Sequence, residues 1–372
     1  MKGLIIWAHS NCRSTMALYR EVKSLINSPV IIALWQGSEG AQCDIRQNVG
    51  FREDEFSDIK MIPVGEDYEK GVSLLDGHPG FNHLFAVYQG APTFQRLILE
   101  AKRRGEKVGI MCESPCNMSS GWRFALKELY MRFVLPCRIA RVVKAADFFI
   151  NFSGDDTHAA ERNGWPKEKI LPFGYFSPRI EGSKLVPRTT NRPFEILATG
   201  ILAPYRGADI LLEALTILKK RGVPYHATIT QKGQMYGKMK AKVESERLPV
   251  DMPGFVEMKD LIRLYETCSV YVGSGRREPW GMRLNDALQC GAPLVVSRSM
   301  GGACLIDHYD CGLCYEKNST EKLADALEIL AQDQEVYKRV AVNAVKAAEE
   351  IEPERMAHVL IERIRLGCKG WL

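Results

Sequence analysis

Gly273-Ser274-Gly275-Arg276-Arg277-Glu278-Pro279-Trp280-Gly281-Met282-Arg283-Leu284-Asn285-Asp286 sets two carboxylates, Glu278 and Asp286, eight positions apart around a predicted helix start. Before it, Thr267-Cys268-Ser269-Val270-Tyr271-Val272 reads as a short buried strand; after it, Ala287-Leu288-Gln289-Cys290-Gly291 reads as a helix closing on glycine. Proline is favoured at the first helical position, which starts the helix at Pro279 with Glu278 as its cap. The N–H groups of Trp280, Gly281 and Met282 then point out of the helix end, where backbone dipoles favour an anion and Gly281 has no side chain to block it. That predicts a phosphate site. Steps of about 100° per residue return Asp286 to the face of Pro279, roughly 10 Å further along the axis. Taken singly, Glu278 is an N-cap and Asp286 a solvated helix residue; the residues that follow decide against so plain a reading.

The chain continues through Gly291-Ala292-Pro293-Leu294-Val295-Val296-Ser297 to Met300-Gly301-Gly302, a capping glycine, a buried strand and a second glycine turn. Together these segments resemble the carboxyl-terminal signature of family-four retaining glycosyltransferases of the GT-B fold. That pattern is an E-x(7)-E pair with Pro-Phe-Gly or similar after the first Glu, an Ala-Cys-Gly-x-Pro-Val-Val-type segment and a Gly-Gly turn. Asp286 stands in place of the second Glu, one methylene shorter with its acceptor oxygens retained.

Composition fits a large α/β protein. A chain of 372 residues, 46% hydrophobic and 26% charged, predicts two domains, each large enough to own a core. No apolar run approaches the roughly 18 residues needed to span a bilayer; Val30 to Trp35 is strand-length. Gly3-Leu4-Ile5-Ile6-Trp7-Ala8 is too short for a signal h-region and gives way to His9-Ser10-Asn11, so the expected location is the cytoplasm. The eleven cysteines are unevenly spaced, and Cys112, Cys137, Cys268 and Cys290 in apolar surroundings predict reduced core thiols. Cys311-Gly312-Leu313-Cys314 is a lone C-x-x-C, read as a glycine turn before a strand. Asp155-Asp156 reads as a helix start, no Asp-x-Asp stands at a strand end, and no metal is expected.

Strand and helix signals alternate along the chain. The first half has strands at Leu4 to Ala8, Val30 to Trp35, Leu84 to Tyr88, Val108 to Cys112 and Phe148 to Phe152. Helices fall between them: one with Leu18, Val22 and Leu25 on a face, others near Pro92 to Arg104 and Gly121 to Ala146; Gly37 to Lys60 is polar and unreadable. Ser177-Pro178 to Arg192-Pro193, with three prolines and no periodicity, is the expected linker. The second half restarts with strand Phe194 to Thr199, turn Gly200 to Gly207, a helix from Ala208 to Lys220, strand Tyr225 to Thr230 and the segment Gly254-Phe255-Val256. The expected organisation is a Rossmann-like domain over 1–177, a linker over 178–193, a second over 194–352 and a carboxyl-terminal helix within 353–372, which the GT-B resemblance implies crosses back to the first domain. Two such parallel sheets facing a central cleft place ligands at the strands' carboxyl ends.

The resemblance implies a metal-independent enzyme that moves a sugar from a nucleotide-sugar, a UDP-sugar in preference to a GDP-sugar, with retention. The acceptor would be a hydroxyl of a glycan or lipid-linked saccharide, in bacterial surface-polysaccharide assembly. Arg206 and Glu278 are the implied catalytic residues; Gly281, Met282, Trp280, Asp286, Gly207 and Val256 are the implied donor contacts, with Asp286 on the ribose. The family's turn of the form Gly-Arg-Leu-x-x-x-Lys-Gly puts both basic residues on the diphosphate; Arg206 takes the lysine's place and Ile201 stands where the arginine would be. Arg276 and Arg277 are near enough in sequence to replace it, or form a solvated loop pair. His9, Arg13 and Glu113 are candidates for the acceptor, each with a plain alternative as a locally bonded loop residue. Lys169 to Tyr175 resembles a turn of positional role.

Within 121–144, Arg123, Lys127, Arg132, Arg138, Arg141 and Lys144 interleave with Trp122, Phe124, Leu126, Leu129, Tyr130, Phe133, Val134 and Leu135. This is either a helix resting on an anionic membrane or a core helix with a solvated basic face. Nucleic acid is not an expected partner, since no recognised module accompanies the basic residues. A GT-B-like epimerase or phosphorylase and a non-catalytic glycan-binding protein remain as alternatives.

Overall fold

A computed structural model describes residues 2–9, 13–35, 57–119, 121–189 and 193–372, with Arg13 by its backbone alone. The chain divides into two compact units: Met1–Pro115 with Ala125–Pro178 and Pro353–Leu372, and Cys116–Phe124 with Arg179–Glu352.

The first unit runs through β1 (Leu4–Ala8), α1 (Arg13–Leu25), β2 (Val30–Leu34), β3 (Lys60–Pro63), α2 (Tyr68–Gly77), β4 (Asn82–Phe85), α3 (Pro92–Arg103) and β5 (Val108–Cys112). After α4 (Trp122–Leu129) and a π-helical turn at Tyr130–Val134 come α5 (Leu135–Ala145), β6 (Phe148–Asn151), α6 (His158–Arg162) and β7 (Ile170–Pro172). Among the described residues the strands form one sheet in the order β3-β2-β1-β4-β5-β6-β7, every pairing parallel. Every residue of β1 and β2 is buried, as expected of strands covered on both faces. Trp7 stacks on Phe85, with ring centres 5.2 Å apart, and Phe94 meets both rings edge-on, tying β1 and β4 to α3.

The second unit runs through β8 (Phe194–Ala198), α7 (Ala208–Lys220), β9 (Tyr225–Thr230), α8 (Tyr236–Ser245), β10 (Val250–Gly254), α9 (Met258–Thr267) and β11 (Val270–Gly273). It continues with α10 (Met282–Gln289), β12 (Leu294–Ser297), α11 (Cys304–Tyr309), β13 (Gly312–Tyr315), α12 (Thr320–Gln332) and α13 (Gln334–Glu350). Its sheet has the order β10-β9-β8-β11-β12-β13, again parallel. The final helix, α14 (Pro353–Gly367), belongs to the first unit and packs on α1 and β7. The proline-rich stretch after Pro178 lies on the second unit: Lys184 N donates to Glu266 at 2.8 Å, and Arg188 donates to the carbonyls of Tyr265 and Cys290.

Three expectations change. The strand expected around Gly254-Phe255-Val256 ends at Gly254, whose φ of +81° turns the chain out of the sheet. Thr267 closes α9 and so stands outside β11. Cys137 is exposed on α5, because that helix presents Leu135, Ile139, Val142 and Val143 to the core instead; Cys268 and Cys290 are buried and free, Cys112 partly buried and free. Of the region Gly37 to Lys60, residues 37–56 lie outside the described residues, as do Ser10, Asn11 and Cys12.

Candidate functional site

In the second sheet the connections run outward from β8 through β9 and β10, then restart on its other side at β11. Parallel α/β sheets bind ligands at such a reversal, beyond the carboxyl ends of the strands. A cavity lies there, lined by Thr199 to Leu202 after β8, by Tyr271 to Gly275 at the end of β11, and by Arg206, Glu278, Gly281 and Arg283.

Two turns brace its mouth. Gly207 adopts φ +66° at the start of α7, and a Cβ there would meet the Ser274 carbonyl oxygen at 1.9 Å, so glycine lets the β8–α7 turn lie against the β11 loop. Ser274 Oγ donates to the Arg206 carbonyl at 3.2 Å and Arg276 N to the Tyr205 carbonyl at 2.8 Å. Arg276 also grips Asp209 with both guanidinium nitrogens, at 2.6 and 2.8 Å, and the Pro204 carbonyl at 2.7 Å. Arg277 donates to the Ser119 carbonyl at 3.1 Å and lies 4.3 Å from the centre of the Phe124 ring. Neither arginine lines the cavity, so neither is placed to supply the missing phosphate contact.

So braced, Arg206 forms a hydrogen-bonded ion pair with Glu278 across the cavity. The Glu278 side chain is 11% exposed; burial pushes its carboxyl above the usual range, with Arg206 opposing. For Arg206 burial alone would favour proton loss, and the Glu278 charge together with Tyr205 and Tyr271 outweighs it. Arg206 Nε is buried with no hydrogen-bond partner among the described residues, an open donor in the cavity wall.

The helix expected from Pro279 begins at Met282 instead. Glu278 bridges to Met300 as in a parallel ladder, and Gly301 N and Gly302 N donate to the carbonyls of Glu278 and Trp280 at 3.1 and 2.9 Å. The Gly-Gly turn therefore ties down Glu278 and Trp280 on either side of a bend at Pro279, and Gly281 at φ +99° swings the chain into α10. Glu278 is thus no N-cap, the helical projection of Asp286 from Pro279 does not apply, and Trp280 buries its side chain rather than heading a helix. Asp286 instead accepts from Arg283 at 2.8 Å, one turn earlier on α10.

Of the predicted donor residues, the fold brings Arg206, Glu278 and Gly281 into one wall. Gly207 lies behind it as a tight turn against Ser274, and Met282 is the first residue of α10. Asp286 sits behind Arg283, and Val256 follows β10, two strands from β8. In the first unit, exposed His9 follows β1 with its ring 5.9 Å from that of Trp35, and partial burial lowers its imidazole's proton affinity. Glu113 follows β5, and burial first and then the Glu113 charge push up the thiol of the partly buried Cys112. Arg13 opens α1. Arg283, Thr199 and Tyr271 were not foreseen: the hydroxyls of Thr199 and Tyr271 meet at 3.2 Å in the wall.

Residues 186–347, just under half of the chain, match the family described as glycosyl transferases group 1. An uncharacterized glycosyltransferase of Bacillus subtilis (strain 168) is 24% identical over 202 residues, 54% of this chain and 55% of that protein. A GDP-mannose-dependent alpha-(1-6)-phosphatidylinositol dimannoside mannosyltransferase of Mycobacterium tuberculosis is 27% identical over 207 residues, 54% of this chain and 53% of that protein. The chain spans about half the length of the curated relatives it matches. Among solved structures, Anabaena Alr3699/HepE in complex with UDP and glucose aligns over 98% of this chain and all of that one, with a TM-score of 0.66 at 12% identity. The apo lipopolysaccharide outer core galactosyltransferase WaaB aligns over 98% and 99% with a TM-score of 0.68 at 14% identity. The fold is GT-B, and over residues 186–347 the chain resembles the glycosyl transferases group 1.

Proposed function

We propose that this chain is a retaining, metal-independent glycosyltransferase that moves a sugar from a nucleotide-sugar to a hydroxyl of a glycan or lipid-linked saccharide in surface-polysaccharide assembly. The observation that carries the reading is the Arg206–Glu278 ion pair, its carboxylate buried and its guanidinium partly exposed, in a cavity at the strand-order reversal of the second sheet, with Arg206 Nε open. A leaving diphosphate needs cationic and N–H donors placed in advance, and a donor sugar needs acceptor oxygens for its hydroxyls. Arg206 and the backbone at Gly281 take the first task, Glu278 the second, and Asp286 the ribose. As the acceptor oxygen bonds to the anomeric carbon, the bond to the phosphate oxygen breaks on the same face, and that oxygen receives the acceptor's proton. No side-chain base is then required. The first unit binds the acceptor through His9, Arg13 and Glu113.

UDP is the proposed nucleotide, in line with the UDP found on the Anabaena protein; the mycobacterial relative uses GDP-mannose. Calorimetric titration with UDP and GDP, then transfer assays with the matching donors, test the reading. UDP binding and acceptor-dependent donor turnover that survives a chelator are expected. Turnover without acceptor would indicate an epimerase, and nucleotide binding without turnover a non-catalytic protein.

The membrane contact proposed for 121–144 draws support from α4, none of whose residues is buried. Leu126, Leu129, Phe133 and Val134 are exposed by between 46% and 61%, among Lys127, Arg132, Arg138, Arg141 and Lys144 with Glu128 the lone acid in the stretch. Each cation near an anionic surface adds about 1 kcal/mol. Flotation with phosphatidylglycerol vesicles but not phosphatidylcholine vesicles, lost in Leu129→Ser/Phe133→Ser, is the expected result.

A further inference from the structure

We infer that Arg283, in the first turn of α10, is the second cation on the diphosphate of the nucleotide-sugar, and that it takes the place Ile201 leaves empty of charge in the same cavity wall. The inference rests on the donor reading above and adds a residue to it. A nucleoside diphosphate presents several anionic oxygens on two phosphates, and Arg206, with one terminal nitrogen on Glu278, has too few N–H donors left for both. Arg276 and Arg277 are engaged elsewhere. Arg283 lines the cavity with its side chain 18% exposed, and one of its terminal nitrogens donates to Asp286 at 2.8 Å. A guanidinium has five N–H donors in a planar fork, so Asp286 aims the group and leaves donors for phosphate oxygens.

Both arginines line one cavity, together with the Tyr271 and Thr199 hydroxyls that meet at 3.2 Å in its wall. Ile201 belongs to the same wall and offers only hydrocarbon. An anion entering this cavity therefore meets Arg206 from the β8–α7 turn and Arg283 from α10. Asp286 is then a positioning residue for Arg283 as well as the proposed ribose contact.

The test is titration of uridine and UDP, or of guanosine and GDP if the unaltered chain prefers them, into the unaltered chain, Arg283→Ala and Arg283→Gln. The glutamine variant keeps a donor for Asp286 and guards against loss of fold, which thermal melting checks. The expected result is a weakening of diphosphate binding by roughly ten-fold or more with nucleoside binding unchanged. Ile201→Arg placed in the Arg283→Ala background should recover most of the lost affinity. Diphosphate binding untouched in both folded variants, equal loss for nucleoside and diphosphate, or no recovery with Ile201→Arg would each overturn the assignment while leaving the donor reading in place. Failure of the unaltered chain to bind any nucleoside diphosphate would instead remove the donor reading, and this inference with it.

Discussion

Each unit holds a buried glutamate against a basic side chain, His83–Glu106 in the first and Arg206–Glu278 in the second, and the two pairs differ in how completely their hydrogen bonds are filled. In the first unit, Trp7 Nε1 donates to His83 Nδ1 at 3.2 Å, so the imidazole proton sits on Nε2 and is donated to Glu106 at 2.8 Å. Gly80 N supplies the other Glu106 oxygen at 3.1 Å. Every polar atom of that trio has a partner, and it lies at the amino-terminal ends of β4 and β5. In the second unit, Arg206 and Glu278 stand at the carboxyl ends, beside a cavity, with Arg206 Nε unsatisfied and the Glu278 carboxyl pushed upward by burial. A filled network fixes a core; an unfilled one at the ligand edge of a parallel sheet is poised for something the chain does not itself supply.

The largest effect that would break this contrast is on stability. His83→Ala strips partners from the Trp7 indole N–H and the Glu106 carboxylate together, and each buried group left short costs about 1–3 kcal/mol. Unfolding in urea should show a loss of about 3 kcal/mol, with the dissociation constant of a nucleoside diphosphate unchanged where the variant is folded. Arg206→Ala should behave the other way round, raising that constant or slowing transfer roughly ten-fold or more, about 1.4 kcal/mol upward. Unchanged binding and transfer in Arg206→Ala would make the second pair structural like the first.

The same contrast explains what the sequence makes legible. Strand runs such as Leu4–Ala8 and Tyr225–Thr230, and helix Ala208–Lys220, follow from local apolar periodicity and have the same bounds in the structure. Arg206, Glu278 and Gly281 were recognisable because glycine turns and a proline surround them. The start of α10 was not, because Pro279 obeys a long-range ladder with Met300 to Gly302 rather than its own propensity for a first helical turn. Arg283 was hidden for a related reason: a cation in an amphipathic helix gives no local sign of facing a cavity. Gln231, at φ +76° just after β9, is likewise held by tertiary structure, its N–H bonded to the Gly254 carbonyl, where local rules would ask for glycine.

A smaller effect separates the two carboxylates of the opening segment. With Asp286 on the ribose and on Arg283, Asp286→Ala should weaken the nucleoside as well as the nucleoside diphosphate, by about 1 kcal/mol for one lost hydrogen bond. Arg283→Ala should spare the nucleoside. Glu278→Ala should leave nucleoside diphosphate binding nearly intact while cutting transfer. Calorimetry on the three variants distinguishes the roles, and equal loss of the diphosphate in Glu278→Ala and Asp286→Ala would mean that Glu278 serves the nucleotide rather than the sugar.

The smallest effect is the most discriminating, because the two acids should respond to pH with opposite sign. For Glu106 burial works to raise the carboxyl, but the bonds from His83 and Gly80 outweigh it and the folded value is depressed. The unfolded chain, with an ordinary Glu value of about 4.3, then takes up its proton first as pH falls, and the stability Glu106 contributes above that value is lost as pH drops through the lower folded one. For Glu278 burial prevails and the folded value is raised, so the folded chain takes up its proton first. Its unfavourable contribution at neutral pH is relieved as pH falls from the raised value towards about 4.3. Urea unfolding of the unaltered chain, Glu106→Gln and Glu278→Gln between about pH 7 and pH 2 reads each contribution as a difference, the Glu278 change falling above about 4.3 and the Glu106 change below it. The advantage of the unaltered chain over Glu106→Gln should shrink on acidification, whereas relative to Glu278→Gln the unaltered chain should gain. Curves that move in the same direction would show that the second pair is as fully compensated as the first, and would remove the physical ground for treating Arg206 and Glu278 as a site awaiting a ligand.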